Sequence, residues 1–494
     1  MHATIEPGRD GFPQLLHAEW TKFRTVPGWV IGMTAAALMV VLLALLTGAS
    51  SVQHDRPAVP IGPGGEPVTD TFYFLHRPLA ANGSITVSVS ALTEGVAPAR
   101  QPTVVPWAKA GLIIKDSTRP GSPYAAIMIT GSHGVRMQHD YVNDTPGLPG
   151  PVSTASVRWL RLDRSGETIT GYDSTDGTHW TTVATVHLTG LGPTVQGGLF
   201  VASPDAVQGI GTVPSAATAV FGHVTSQGNW LGADWTGDQV APRPGSPELT
   251  GSFTRSDDGI TATGTGDIAP AVRDTLPTAG TTGEILTGTL AALTAMIVIG
   301  TLFITTEYRH QLIRLTLAAS PRRTRVLAAK AIVLAAATFT AGLAATAVAV
   351  PLGEQLAQAN GVYLFPTTPS ARLRVELGTA ALLAIASILA LAVATIVRRG
   401  ATAVTTVLIA IVLPRVLVAI PFLPAGAANW LMRVTPAAAF AVQQTLVPYH
   451  QVTSFYTPYE GYYPLAPWAG LTVLAGYAAL ALAAAAVILR NRDV

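Results

Sequence analysis

Residues 471–489 read LTVLAGYAALALAAAAVIL, nineteen residues without a charge. A helix needs about 20 mainly apolar residues to cross the hydrocarbon of a bilayer. This stretch therefore predicts a membrane-spanning helix, 467–489 with its flanks. Five further segments meet the same criterion: 27–48, 281–305, 326–350, about 374–397 and about 402–423. The fourth and fifth are separated only by Arg398-Arg399-Gly400, a tight turn. Composition agrees: 12% of the 494 residues are charged and 49% apolar, and the mean hydropathy is +0.40. An ordinary soluble domain carries roughly twice that charge. With 47 Gly and 36 Pro the chain is not a pure helix bundle, and with no Cys it holds no disulfide, thiolate metal site or cysteine nucleophile.

Residues 49–280 contain no run long enough to span. That block holds 13 Lys+Arg against 19 Asp+Glu, a balance of −6; the remainder holds 17 against 9, a balance of +8. The near-neutral total of +2 thus hides an acidic block between basic apolar segments. The N-terminal tail, 306–330, 398–399 and the C-terminal tail together carry 13 basic residues, whereas the loops 351–373 and 424–466 carry only Arg372 and Arg433. Lys and Arg concentrate on the cytoplasmic side of membrane proteins. The expected topology is a multi-pass protein of the plasma membrane with both termini inside and 49–280 outside. The first apolar stretch is too long for a signal-peptide core and has 26 residues before it, so it reads as a retained anchor.

Three parts follow: 1–48, with the tail and first span; 49–280, the external domain; and 281–494, with spans two to six. Within the external block, TFYFL (71–75), SITVSVSAL (84–92), AGLIIK (110–115), YAAIMIT (124–130), VRWLRLD (157–163), ETITGYD (167–173), TTVATVHL (181–188), GGLFVA (197–202) and TAVFGHV (218–224) are short strand patterns divided by turn residues. Such spacing predicts an antiparallel β-sandwich. Residues 52–68 read as a linker, and Asp257-Asp258-Gly259 marks one further hairpin.

The sequences Trp107-Ala-Lys-Ala-Gly-Leu-Ile-Ile-Lys-Asp116, Pro123-Tyr-Ala-Ala-Ile-Met128, Trp159-Leu-Arg-Leu162 and Gly171-Tyr-Asp-Ser-Thr-Asp-Gly-Thr-His-Trp180 resemble the concanavalin/laminin-G-type jelly roll. That resemblance implies a glycan, cell-wall or other surface ligand, in some members with calcium. The residues themselves read more plainly. Ser174, Asp176 and Gly177 are what a hairpin demands. Trp107, Trp159 and Trp180 read as core or edge residues, and His133, His139 and His179 as surface residues. Asp140 and Asp144, near Asn143, are the candidates for calcium, which needs converging oxygens.

Two segments on the basic side stand out. In 13–26, Leu16, Trp20 and Phe23 share one face of a helix while Glu19, Lys22 and Arg24 fall on the other, the pattern of an interfacial amphipathic helix. In 306–330, Tyr308, Leu312 and Leu315 share a face with Glu307, Arg309 and Arg314 exposed, and Ser320-Pro321 breaks the helix.

These segments resemble the permease subunits of bacterial type-two ABC exporters, especially the actinobacterial branch. The resemblance rests on Glu19-Trp20-Thr21-Lys22-Phe23-Arg24-Thr25, Thr306-Glu307-Tyr308-Arg309 through Leu317-Ala-Ala-Ser-Pro-Arg-Arg323, Val326-Leu-Ala-Ala-Lys330 and Thr435-Pro-Ala-Ala-Ala-Phe-Ala-Val-Gln-Gln444. It implies a six-helix half-transporter with an elbow helix at 13–26, using Leu16, Glu19, Trp20, Lys22, Phe23 and Arg24. It also implies a coupling helix near 307–317 that docks on an ATPase subunit through Glu307, Tyr308, Arg309, His310, Leu312, Ile313 and Arg314, and re-entrant helices near 427–446. The simplest members have a short loop where this chain has about 230 residues.

The chain has no Gly-Lys dipeptide and therefore no P-loop. No cofactor, metal or catalytic residue is expected in it; ATP and Mg would belong to a partner ATPase. A second permease copy, identical or related, would complete the pathway. The lipid bilayer is a further partner, the exported substrate is open, and no nucleic acid is expected. Arg415, after Pro414 in the fifth span, either lines the pathway or pairs with Glu376 or Glu284, or else lies near an interface because that span is short. Two other function classes fit parts of the chain: a membrane-anchored lectin-like receptor, and an envelope assembly or stress-response component.

Overall fold

The computed structural model describes residues 11–50, 58–95, 104–153, 155–208, 211–241, 250–257, 259–309, 322–420 and 423–491. The chain divides into two compact units. One joins the N-terminal helices to Thr278–Val447 and Tyr456–Val494; the other comprises Pro57–Pro277 and Pro448–Phe455.

The helical unit begins with α1 (Phe12–Thr25) and α2 (Pro27–Ala49). Val26 between them is extended because the following proline ring disfavours the helical region. After the strands come α3 (Thr282–Ile285), capped reciprocally by Thr281 and Glu284, a short 3-10 turn, and α4 (Thr289–Arg309). Then follow α5 (Arg323–Ala359), α6 (Pro369–Val397), α7 (Gly400–Val418), α8 (Ala425–Val434), a buried 3-10 segment Pro436–Gln443, and α9 (Pro467–Asn491). Six helices among the described residues are long and apolar enough to cross a membrane: α2, α3 with α4, α5, α6, α7 and α9.

The expected six apolar helices are present, with several ends shifted. The third runs to 37 residues and holds Pro351 within it. The fifth ends at Val418 rather than near 423. Small residues bring the helices close. Gly300 of α4 lies so near α6 that a Cβ there would stand 2.5 Å from the Ser387 carbonyl oxygen. Gly300→Val is expected to cost roughly 1–3 kcal/mol by overpacking. Unfolding of the detergent-solubilised chain by SDS would read this, and wild-type resistance would refute it.

In the β unit, thirteen antiparallel strands among the described residues form one continuous sheet folded into two layers. The strands of the first layer are β2 (Phe72–Glu94), through its first half, with β3 (Lys109–Lys115), β4 (Tyr124–Thr130), β5 (Val135–His139), β6 (Asn143–Pro146), β10 (Val195–Ala202) and β14 (Thr236–Val240). The second half of β2 continues into the other layer, with β7 (Arg158–Ser165), β8 (Thr168–Ser174), β9 (Thr181–His187), β13 (Ala216–Trp230), β15 (Ser252–Ser256) and β16 (Gly259–Thr265). The two segments expected at 71–75 and 84–92 are thus one strand of 23 residues. Pro78 and Gly83 interrupt its pattern where it passes from one layer to the other.

Alternation assigns the cores. Ala110, Leu112, Ile114, Ala125, Ile127 and Ile129 face the space between the layers. Ile113, Tyr124, Ala126 and Met128 face the opposite side, with Phe72, Phe74 and Phe200. The first layer is therefore buried on both faces, which is why β4 reads as an unbroken apolar run. Its outer core is closed by a two-stranded ribbon, β1 (Val68–Asp70) with β17 (Ile268–Pro270), the chain's incoming and outgoing segments, and β11 (Ala206–Gln208) pairs separately with β12 (Gly211–Val213).

Candidate functional site

The amphipathic helix α1 turns only part of its expected apolar face onto the helical core. Phe23 is buried and meets Phe303 edge to face at 5.5 Å, Leu16 packs on the same core, and Trp20 and Arg24 stay exposed. Its polar face departs from expectation. Glu19 is fully buried and Glu307 nearly so, although both were expected on exposed faces. Their partner is Lys330 of α5, also fully buried.

Lys330 Nζ lies 2.7 Å from Glu19 Oε2 and 2.6 Å from Glu307 Oε1. Lys22 Nζ closes the group at 2.9 Å from Glu19 and 3.4 Å from Glu307. Two carboxylates thus meet two ammonium groups, and Lys330 also sits 4.6 Å over the Phe303 ring. Burial, the largest influence on Lys22, opposes its charge; the hydrogen bonds and fields of Glu19 and Glu307 outweigh it and hold its pKa above the ordinary range. An isolated ion at such a place would be very costly, so each charge requires the others. The lysine within an apolar helix was the signal in the sequence, because charges there are rare and paired.

The network joins α1, the end of α4 and the start of α5. Tyr308 lies under Arg398 at 5.3 Å, tying the end of α4 to the α6–α7 turn. Arg309 is exposed. Of the other residues expected to dock an ATPase, His310, Leu312, Ile313 and Arg314 lie outside the described residues.

Arg415 stands in the last turn of α7, not in the middle of a span. There its charge suits the negative end of the helix dipole. It lines a cavity of about 130 Å³ together with Glu284, Phe440, Gln443 and Tyr463. Glu376 is elsewhere engaged: it pairs with Arg372 at 3.5 Å, which also reaches Glu354 at 3.3 Å. The Glu284 carboxylate accepts the Thr281 backbone N–H at 2.9 Å. The segments expected near 427–446 are α8 and the 3-10 segment, whose Gln443 side chain donates to the Thr289 and Thr379 hydroxyls.

In the β unit, Asp144 accepts from Gln138 at 2.9 Å and faces Arg136 at 3.4 Å and His450 at 3.1 Å. Asp140 accepts the Tyr124 N–H. Among the described residues no group of three or more acidic or histidine side chains is placed to hold a metal. The Asp176 carboxylate accepts N–H groups of Thr178 and His179, turn bonds that hold its pKa well below the usual range. Trp107 is buried and stacked on His133 at 3.9 Å, and Trp159 lies under Gly177.

The polar residues 448–455, from the loop before α9, belong to this unit. Gln451 donates to the Val142 carbonyl at 3.1 Å, and Asp274 accepts from the Ser454 hydroxyl at 2.6 Å and the Phe455 N–H at 2.8 Å. Nothing in the composition of this segment names its partner. Asp274→Ala should raise amide exchange in 449–455 about tenfold or more, because bonds to a carboxylate contribute roughly 1.5–3 kcal/mol each. Unchanged exchange by mass spectrometry would refute the attachment.

No family model and no curated relative matches the chain. Some solved structures resemble part of it. A functionally unknown protein from Saccharomyces cerevisiae is 13% identical, over 36% of this chain and 84% of that one, with a TM-score of 0.25. The GH43 protein BlXynB from Bacillus licheniformis is 14% identical, over 28% and 26%, with a TM-score of 0.20. Scytalido-glutamic peptidase is 7% identical, over 39% and 98%, with a TM-score of 0.26. Likenesses this slight carry no argument about fold or activity.

Proposed function

We propose that this chain is the membrane-spanning subunit of an ATP-driven exporter of the type-two ABC class. It works with a separate ATPase and a second permease copy. Six helices of sufficient length and apolarity support this reading, as does the gathering of basic residues on one side. The external sandwich, of the concanavalin/laminin-G kind, guides substrate or holds an envelope ligand. Arg415 and its cavity are the candidate part of the pathway.

The observation that carries the proposal is the buried network of Glu19, Lys22, Glu307 and Lys330. It fastens an amphipathic helix to the described residues on both sides of 310–321, the segment where an ATPase would push. With Glu307 buried, it acts as a positioning residue, and exposed Arg309 remains the described residue suited to touch the ATPase.

The test is reconstitution in liposomes with each ABC ATPase of the source genome that lacks a membrane domain of its own. The complex should co-purify and hydrolyse ATP under control of the permease, and Arg309→Ala should weaken that control. A wild-type chain that neither binds any of these ATPases nor alters its turnover would remove the proposal.

A further inference from the structure

Arg322, Arg323 and Arg325 at the start of α5 and Arg490 in the last turn of α9 line one concavity, with Thr324 and, among the described residues, no acidic one. Arg323 also donates to the Leu489 carbonyl at 2.8 Å, across 166 residues of sequence, which fastens the two helix ends together. A general bias toward basic residues at cytoplasmic helix ends accounts for arginines being here. It does not account for four of them, from helices far apart in the chain, converging on one hollow.

Their depth is informative. In α9 the apolar run ends at Leu489, immediately before Arg490; in α5 it begins at Val326, immediately after Arg325. Taking these helices as membrane spans, on which this inference rests, the guanidinium groups stand at the level of lipid phosphates. Exposed Val487 and Ile332 lie farther along the same helices, toward the hydrocarbon. Guanidinium forks match phosphate oxygens bidentately, and basic pockets between helices on the cytoplasmic side suit anionic headgroups.

We propose that this concavity binds the headgroup of an anionic phospholipid, with two-phosphate headgroups held more tightly than one. The test is native mass spectrometry of the detergent-solubilised full chain. It would be titrated with cardiolipin, phosphatidylglycerol, phosphatidylcholine and inorganic pyrophosphate. The variant Arg322→Gln/Arg325→Gln/Arg490→Gln keeps Arg323 and its bond to Leu489. It should lose anionic lipid at least tenfold, while Arg119→Gln/Arg255→Gln/Arg433→Gln, with the same charge loss elsewhere, should bind as wild type.

Equal retention by the first variant, or equal binding of phosphatidylcholine, overturns the proposal. Pyrophosphate binding without lipid binding overturns the lipid assignment and leaves a free phosphate site. Carbonate extraction of the same membranes separates the two readings. Release of the wild-type chain would refute membrane insertion, whereas a retained chain without lipid preference would refute only this site.

Discussion

Lys330→Met is expected to lower the unfolding free energy of the helical unit by about 3–5 kcal/mol, the cost typical of removing one partner from a buried ion pair. The change leaves Glu19 and Glu307 facing each other with only half-exposed Lys22 to balance them. The isolated loss is therefore larger than the net contribution of the network itself. Glu19→Gln/Glu307→Gln/Lys330→Met removes the uncompensated charges and should recover at least half of the deficit. Unfolding in mixed micelles of increasing SDS fraction would measure both. A single variant as stable as wild type, or a triple variant no better than the single, would sink the charge-balance account. In the proposed transporter the triple variant should fold yet transmit ATP hydrolysis poorly, since uncharged side chains hold the three helices less firmly.

The six apolar helices were legible because apolar runs of span length have few other uses in a folded chain. Their ends were less so. The third was expected over 326–350 but continues through Pro351 to Ala359, while the fifth ends at Val418, four residues after Pro414. Strands β3, β4, β7 and β8 were legible from composition, and β2 was divided at Pro78 and Gly83 because the pattern breaks where the strand changes layer. The charge network was hidden for a different reason. Lys330 is 23 residues from Glu307 but 311 from Glu19, and an amphipathic pattern on α1 assigns the polar face to water. Only the packing of α5 against that face turns it inward. The attachment of 448–455 was hidden likewise, as its bonds join residues 180 to 309 positions apart.

Asp70→Ala is expected to destabilise the β unit by about 3–5 kcal/mol, a large part of the 5–15 kcal/mol that holds typical domains. Asp70 Oδ2 accepts from Lys115 Nζ at 2.8 Å, Tyr141 Oη at 2.6 Å and the Gly121 N–H at 2.8 Å, with both Asp70 and Lys115 side chains fully buried. Burial pulls the Lys115 pKa down and Asp70 opposes this, so losing Asp70 leaves an ammonium hydrogen-bonded only to the neutral Ser122 carbonyl and Tyr141 hydroxyl, with Asp116 and Asp140 acting only through their fields. Asp70→Ala/Lys115→Met removes both charges and should be more stable than Asp70→Ala alone. Pulse proteolysis of the full chain in urea would resolve the order, and equal midpoints for Asp70→Ala and wild type would refute it. Lys109 provides a second attachment, 2.6 Å from Asp267 on the outgoing side. Because β1 and β17 form one ribbon, releasing one side already loosens the other. Asp70→Ala and Asp267→Ala together should therefore cost less than the sum of the two separately, by at least about 0.5 kcal/mol. Strict additivity would mean that each lysine holds its own strand and that the ribbon does not act as one piece.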